Sequence, residues 1–271
     1  MPHPPVALSP SRAHDYTKCP LSFRFAVVDK LPQEPKVHLI TGTLVHKVLE
    51  DTLALPAAER TYPRAVKMIV PAWEAALAAD PALGELIGEA DRMDFFVRCR
   101  ELIKGYFTME NPQGLGDGER ELFISLTIPG IDGEEVPLRG IIDRVDVSPS
   151  GLVRIVDYKT GKKPNRFNEQ QYLEQLLFYA LVWWRTRGEI PAELRLMFLS
   201  PQYNFIHHPT HTELETTEQR LASLWAAIVA DGRAGTFAPR PSRLCDWCDY
   251  QAHCPVFGGT PPPYPGWPND R

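Results

Sequence analysis

The chain has 271 residues, 29 Lys+Arg against 34 Asp+Glu for a formal net charge of −5, 27 prolines and five cysteines. That length carries one large domain or two small ones, and 44% hydrophobic with 23% charged residues excludes wholesale disorder. The longest apolar run, Leu176 to Trp184, is too short to cross a bilayer, and no basic or apolar leader opens the chain, so a soluble cytoplasmic protein is expected. Cysteines in that compartment point to metal or catalysis rather than a disulfide framework, and the acidic balance excludes indiscriminate coating of nucleic acid.

In chain order, the Pro-rich ends 1–10 and 258–271 read as loose tails. Ser9-Pro10-Ser11 reads as a helix start, with Ser9 as N-cap, and this helix should stop near Cys19-Pro20. Thr41 to Leu55 predicts a helix with Leu44, Val45, Val48, Leu49 and Leu53 on one face. Further helices are expected over 62–79 and 84–109. The period then changes to that of strands over 119–128, 137–148 and 152–160. A helix over 168–187 follows, with Asn168 as cap and Gly188 as stop, then a strand over 193–200. A last helix over 216–233 has Thr216 and Gln219 at capping-box spacing. The order implies an α/β domain with a mixed sheet and a helical region near its start.

The stretch Gly140-Ile-Ile-Asp143-Arg-Val-Asp-Val-Ser-Pro-Ser-Gly-Leu-Val-Arg-Ile-Val-Asp157-Tyr-Lys159 carries most of the chemistry. Pro149-Ser150-Gly151 suits a three-residue hairpin loop, a type I turn followed by a left-handed residue. Closing it with Ser148 opposite Leu152 puts Asp143 opposite Asp157. Cross-strand partners share a face, and so do Asp157 and Lys159, two apart on one strand. Local geometry thus gathers two carboxylates and an ammonium. Like charges that close raise one another's pKa unless a cation sits between them, and a divalent ion with hard oxygen ligands is the natural cation. The bland alternative, which the one-faced grouping of Ile155, Asp157 and Lys159 disfavours, is a surface hairpin with solvated charges.

Four segments in order widen the reading. Gly42-Thr-Leu-Val-His46, Gly140-Ile-Ile-Asp143, Val156-Asp157-Tyr158-Lys159-Thr-Gly and Gln175-Leu-Leu-Phe-Tyr179 together resemble the motifs of PD-(D/E)XK nucleases, specifically the RecB-like exonuclease branch. The resemblance runs from Cys19 to Cys254; its third motif has Asp157 where many members carry Glu. It implies a restriction-endonuclease-like α/β core, a mixed central sheet flanked by helices, in a single nuclease domain over 1–257. Within it the helical region would cover about 41–110 and the catalytic core about 119–233, and a Pro-rich tail, 258–271, would follow. It also implies that His46, Asp143, Asp157 and the Tyr158 carbonyl ligate Mg²⁺ or Mn²⁺. Asp143, Asp157, Lys159, Gln175 and Tyr179 would be the catalytic residues.

Taken singly, a helical histidine is most often a satisfied surface or core residue, and it is the motif that makes His46 a ligand. Gln175 and Tyr179 are i and i+4, so they share a helix face and can donate to a phosphate or to the carboxylates. Glu121, opening the strand before the hairpin, is a candidate to support the ligands from behind. Glu50 is placed either to brace His46 or to pair with Lys47. Cys245, Cys248 and Cys254 have the C-x2-C-x5-C spacing of ligands to one centre, with distant Cys19 the candidate fourth. Zinc and an iron–sulfur cluster both accept four cysteines; the RecB-like resemblance implies [4Fe-4S], joining the two ends of the domain. Cys99, in an apolar helix, reads as a buried small hydrophobe and His253 as solvated.

The expected activity is therefore metal-dependent DNA exonuclease action on single-stranded ends, in repair, recombination or CRISPR adaptation. The alternative is a non-catalytic, cluster-containing subunit that grips DNA ends within a helicase–nuclease complex. No Gly-x-x-x-x-Gly-Lys-Ser/Thr loop is present, so any helicase would be a separate partner. The charge divides unevenly. Residues 50–121 hold 14 acids and 8 bases, a net of −6, whereas 151–166 hold five bases against Asp157, a net of +4 beside the proposed site. Arg233, Arg240 and Arg243 extend the basic region toward the cysteines. A focused basic path leading to a carboxylate-rich metal site is expected, with the acidic helices facing elsewhere.

Overall fold

A computed structural model describes residues 7–116, 118–163 and 166–267. Its centre is a five-stranded mixed sheet in the order β1-β2-β3-β4-β5. β1 (Glu119–Pro129), β2 (Glu135–Val147) and β3 (Val153–Lys159) are consecutive antiparallel strands. β3 runs parallel to β4 (Glu193–Phe198), and a crossover helix, α8 (Arg166–Arg187), joins them. β5 (Tyr203–His207) pairs antiparallel with β4. The sequence reading lacked β5. Its apolar alternation is weak, and it becomes a strand only because the turn after β4 returns it to that strand's edge.

The first helical elements are α1 (Pro10–Lys18) and α2 (Pro20–Phe23). Ser9 caps α1 as expected, its hydroxyl accepting from the Arg12 amide at 3.3 Å. The segment just before it is not a loose tail from residue 7 onward. Leu8 is buried and bridges Leu138 of β2, with Leu8 N–H donating to the Pro137 carbonyl and Arg139 N–H to the Leu8 carbonyl. Residues 1–6 lie outside the described residues.

α3 (Val37–Ala54) begins four residues earlier than predicted and buries the anticipated Leu44, Val45, Val48, Leu49 and Leu53. The expected 62–79 helix is divided into α4 (Tyr62–Lys67) and α5 (Ile69–Ala79). Pro71 explains the break, since it has no N–H to offer the Lys67 carbonyl. The 84–109 stretch likewise splits into α6 (Leu83–Leu86) and α7 (Arg92–Met109), with Gly88 in the break. α3, α4, α5 and α7 build one apolar cluster against Val156, Tyr158, Met197 and Leu199 from the sheet. Cys99 is fully buried there, as expected of a small hydrophobe, and burial pushes its thiol up to about 12.

The opposite sheet face packs on α1, α8 and α9 (His211–Ala234). Asn168 falls inside α8 rather than at its cap. The capping box of α9 is Thr210 with Glu213, not Thr216 with Gln219. Thr216 instead donates to the Thr212 carbonyl within the helix. The two readings share a spacing, and the true start is six residues upstream because the chain turns directly from β5.

The C-terminal segment as far as Trp267 is also packed rather than loose. Trp267 is buried against α9, where a Cβ on Gly232 would stand 1.7 Å from its ring, so only glycine admits the indole. Arg24 donates to the Pro262 carbonyl at 2.5 Å, and its guanidinium carbon lies 5.1 Å from the centre of the Tyr264 ring.

Candidate active site

The β2–β3 hairpin closes as its sequence dictates. Gly151 adopts φ +85°, its N–H donates to the Ser148 carbonyl, and Ser148 N–H donates to the Leu152 carbonyl, both at 2.9 Å. The register runs from Val147↔Val153 to Arg144↔Val156, so Asp143 and Asp157 stand at the next rung. There the regular ladder stops. The Asp143 carboxylate accepts a hydrogen bond from the Tyr158 amide at 2.7 Å, which ties it to the backbone just beyond Asp157.

Asp157 is 3% exposed, and both of its oxygens are engaged. One lies 2.6 Å from Lys159 Nζ; the other accepts from Gln175 Nε2 at 2.8 Å. Gln175 also donates to the Tyr179 hydroxyl at 3.1 Å, so the i, i+4 pair on α8 acts as one unit behind Asp157. Burial is the main force raising Asp157's pKa to about 6, with Asp143 adding to it and Lys159 opposing it. Burial would lower Lys159, but Asp157 and then Asp143 hold it above its ordinary value.

α3 brings His46 to the same point from the other side of the sheet. Its Nδ1 is 3.4 Å from Asp143 Oδ2, and its Nε2 is 3.1 Å from the Tyr158 carbonyl oxygen. Burial pulls its pKa down, yet the Asp143 hydrogen bond and the charges of Asp143 and Asp157 raise it overall. Glu50 is turned away to Lys47, which it meets at 3.0 Å, so it does not brace the histidine.

Glu121 is more central than the sequence suggested. Its backbone has φ +43°, a left-handed conformation rare for a side-chain-bearing residue and strained within a strand. This aims its carboxylate inward. Among the described residues, His46, Glu121 and Asp143 form a group whose ligand atoms all lie within 4.8 Å of one another. Burial, then the facing Asp143, raises the Glu121 pKa. Only its place near the start of β1 hinted at this role; the positive φ is set by tertiary packing.

Two openings flank these residues. A cleft of about 690 Å³ is lined by Lys159, Tyr172, Gln175 and Tyr179 together with α1 and the β1–β2 pair. A second hollow of about 380 Å³ is lined by His46, Tyr158, Lys159, Tyr172 and Arg98. They meet at Lys159 and Tyr172. Chemically, three carboxylates and an imidazole converge beside one ammonium. This set suits a divalent cation and a phosphoryl group, with oxygen and nitrogen donors for the former and Lys159 for the latter.

The cysteines are gathered but not crowded. Cys19, Cys245, Cys248 and Cys254 line one small cavity of about 40 Å³, and none forms a disulfide. The sulfurs of Cys19 and Cys245 accept from the amides of Arg240 and Ser242, at 3.4 and 3.3 Å. They do not make a ligand group as tight as that of His46, Glu121 and Asp143. His253 is exposed, as expected.

The family model of the PD-(D/E)XK nuclease superfamily matches residues 7–255, and the chain belongs to that superfamily. Gene 69 protein of Mycobacterium phage D29 is 26% identical over 276 residues, spanning 92% of this chain and 96% of the phage protein. The corresponding protein of phage L5 is 25% identical over 292 residues, again spanning 92% and 96%. A shorter match, 43% identical over 67 residues, is to an ATP-dependent helicase/deoxyribonuclease subunit of Thermoanaerobacter sp. (strain X514). It covers 23% of this chain and 6% of that much longer protein. Among solved structures, a presumptive exonuclease from Eubacterium rectale shares the fold with a TM-score of 0.58 at 16% identity, covering 90% of this chain and 87% of its own. No helix among the described residues is long and apolar enough to cross a membrane.

Proposed function

We propose that the chain is a divalent-metal-dependent DNA exonuclease acting on single-stranded ends. The observation that carries this reading is the convergence of Asp143, Glu121 and His46 beside Asp157 and Lys159 at the meeting point of two openings. The donor set fits the ion: hard carboxylate oxygens, one imidazole and the Tyr158 carbonyl, with negative charge in excess of the single ammonium. Mg²⁺ or Mn²⁺ held by Asp143, Asp157, His46 and Tyr158 O, with Glu121 at hand, would supply Lewis acidity toward the scissile phosphate.

The protein's own groups do the rest. Lys159, held by Asp157, is placed to orient the attacking water and to offset charge gathering on the phosphoryl oxygens. Gln175 fixes the Asp157 carboxylate, and Tyr179 fixes Gln175, so the carboxylate keeps one orientation through the reaction. His46 bonded to the Tyr158 carbonyl and beside Asp143 keeps that corner of the site assembled.

The four cysteines we assign to a [4Fe-4S] cluster with a structural role. Zinc and an iron–sulfur cluster both accept four thiolates. The four cysteines line one cavity, the amide donors at Cys19 and Cys245 suit thiolates, and the resemblance to the RecB-like branch favours the cluster over zinc. Protein purified without oxygen should be brown; a colourless protein with stoichiometric zinc overturns this assignment. The short match to a helicase–deoxyribonuclease polypeptide supports a separate helicase as partner in repair or recombination, CRISPR adaptation being the other setting. A cytoplasmic location belongs to the same reading.

The test is digestion of 5′- and 3′-labelled single strands with Mn²⁺. Stepwise shortening from one end by the wild type, absent in Asp143→Ala, is expected. Undiminished cleavage by purified Asp143→Ala would sink the assignment, and clean metal binding with no cleavage of any strand would favour the end-gripping alternative.

A further inference from the structure

The outward face of the β1–β2 pair leads away from the site in ordered rungs. The register places Phe123 opposite Ile141 and Ser125 opposite Arg139; toward the site the ladder is interrupted at Glu121, whose left-handed backbone breaks the two-residue alternation. Successive same-face rungs of a strand are about 7 Å apart, close to the step of an extended nucleotide. Along this face an apolar pair is followed by a cation, and Phe123, Ile141 and Arg139 line the cleft that Lys159 also lines. Residues between these rungs point inward: Ile124, Leu138 and Ile142 are all buried.

Phe123 is 62% exposed and Ile141 49% exposed, although they sit on adjacent strands whose other face packs into the core. Phe123 and Ile141 adjoin across the strand pair, so they form one exposed apolar pair rather than two scattered residues. Both line the same cleft as Lys159, Gln175 and Tyr179. Arg139 lines it too, a cation besides the catalytic ammonium, as does Arg220, which is paired at 3.0 Å with Glu174 of the same cleft. Gly140, between Arg139 and Ile141, lets Tyr179 approach: a Cβ there would stand 3.0 Å from the Tyr179 ring. The platform is thus seated directly against the catalytic helix.

We propose that Phe123 and Ile141 form a base-stacking platform that receives an unpaired nucleobase one step from the scissile phosphate, while Arg139 meets the next phosphate. An aromatic face takes any base, whereas a cation alternating with it follows the backbone, which is the pattern of sequence-tolerant single-strand recognition. A base-paired nucleotide cannot offer its face to the platform without unstacking, so the platform favours a single-stranded end. This inference rests on the nuclease reading above.

The experiment measures binding of fluorescent oligothymidylate, and of the same oligonucleotide with one abasic residue scanned along it, to the full chain in chelator. Wild type should prefer the intact strand, with the largest loss when the abasic residue falls at one position. In Phe123→Ala that preference should fall about ten-fold, the order of one lost base–aromatic stack, and Phe123→Trp should restore it. Matching thermal melting of the variants shows that each is folded. A preference that survives Phe123→Ala, or a loss equal for intact and abasic strands, overturns the platform while leaving the nuclease reading intact. Failure of the wild type both to bind and to cleave any strand overturns both.

Discussion

Two charged clusters meet at Tyr158, and they are built on opposite rules. On the α7 side, Arg144 is 2% exposed and pairs with Glu110 at 2.8 Å and Asp146 at 3.0 Å; Arg154 pairs with the same two carboxylates at 3.3 and 2.7 Å. Arg144 also donates to the Tyr158 and Tyr106 hydroxyls. Two cations face two anions, and although burial disfavours its charge, the facing Tyr158, Glu110 and Asp146 hold Arg144 well above its ordinary pKa. On the other side, Glu121, Asp143 and Asp157 face one lysine and a histidine, and Asp157 is driven up to about 6. The backbone of Tyr158 serves this second cluster, its amide holding Asp143 and its carbonyl meeting His46. Compensated charge is structure; uncompensated charge, kept beside an opening, is what the proposed metal site requires.

The largest way to break this contrast is Arg144→Met. It leaves the half-buried Glu110 and Asp146 with one cation fewer, and urea unfolding should show a loss of about 3–5 kcal/mol. Lys159→Ala should instead leave the fold standing and lower the cleavage rate about 10²–10³-fold, equivalent to about 3–4 kcal/mol, read by single-turnover digestion. Mn²⁺ at about a hundred-fold excess over its Kd should stabilise the wild type by about 2.7 kcal/mol and raise its melting temperature by several degrees. The shift should vanish in Asp143→Ala and persist in a folded Arg144 variant. It should also shrink as pH falls below about 6, because protonated Asp157 no longer offers its charge to the ion. The smallest expected effect is that of Glu121→Gln, a weakening of Mn²⁺ binding by about ten-fold, read by isothermal titration. A Glu121→Gln variant indistinguishable from wild type would remove that carboxylate from the ligand group.

Local rules made much of this legible in the sequence. Period-two and helical spacing gave β1 to β4 and the helices. The Pro149-Ser150-Gly151 turn fixed a register that brings Asp143 to Asp157, and i, i+4 spacing put Gln175 and Tyr179 on one face. The misreadings also have local causes. Pro71 and Gly88 divide helices whose apolar pattern continues across them. Thr216 and Gln219 copy the spacing of a cap without its position. Pro-rich composition says that a segment is neither helix nor central strand, but not whether it packs, and Trp267 packs.

By itself, then, the sequence determined which side chains one strand or helix presents together, because those relations depend on fixed repeats along a few residues. Only the tertiary structure decided which groups from distant segments converge. The arrival of His46 from α3, the left-handed turn of Glu121 into the site and the gathering of Cys19 with the C-terminal cysteines all depend on how the layers pack on the sheet. No local repeat encodes that packing; it follows from burying the two faces of one sheet at once.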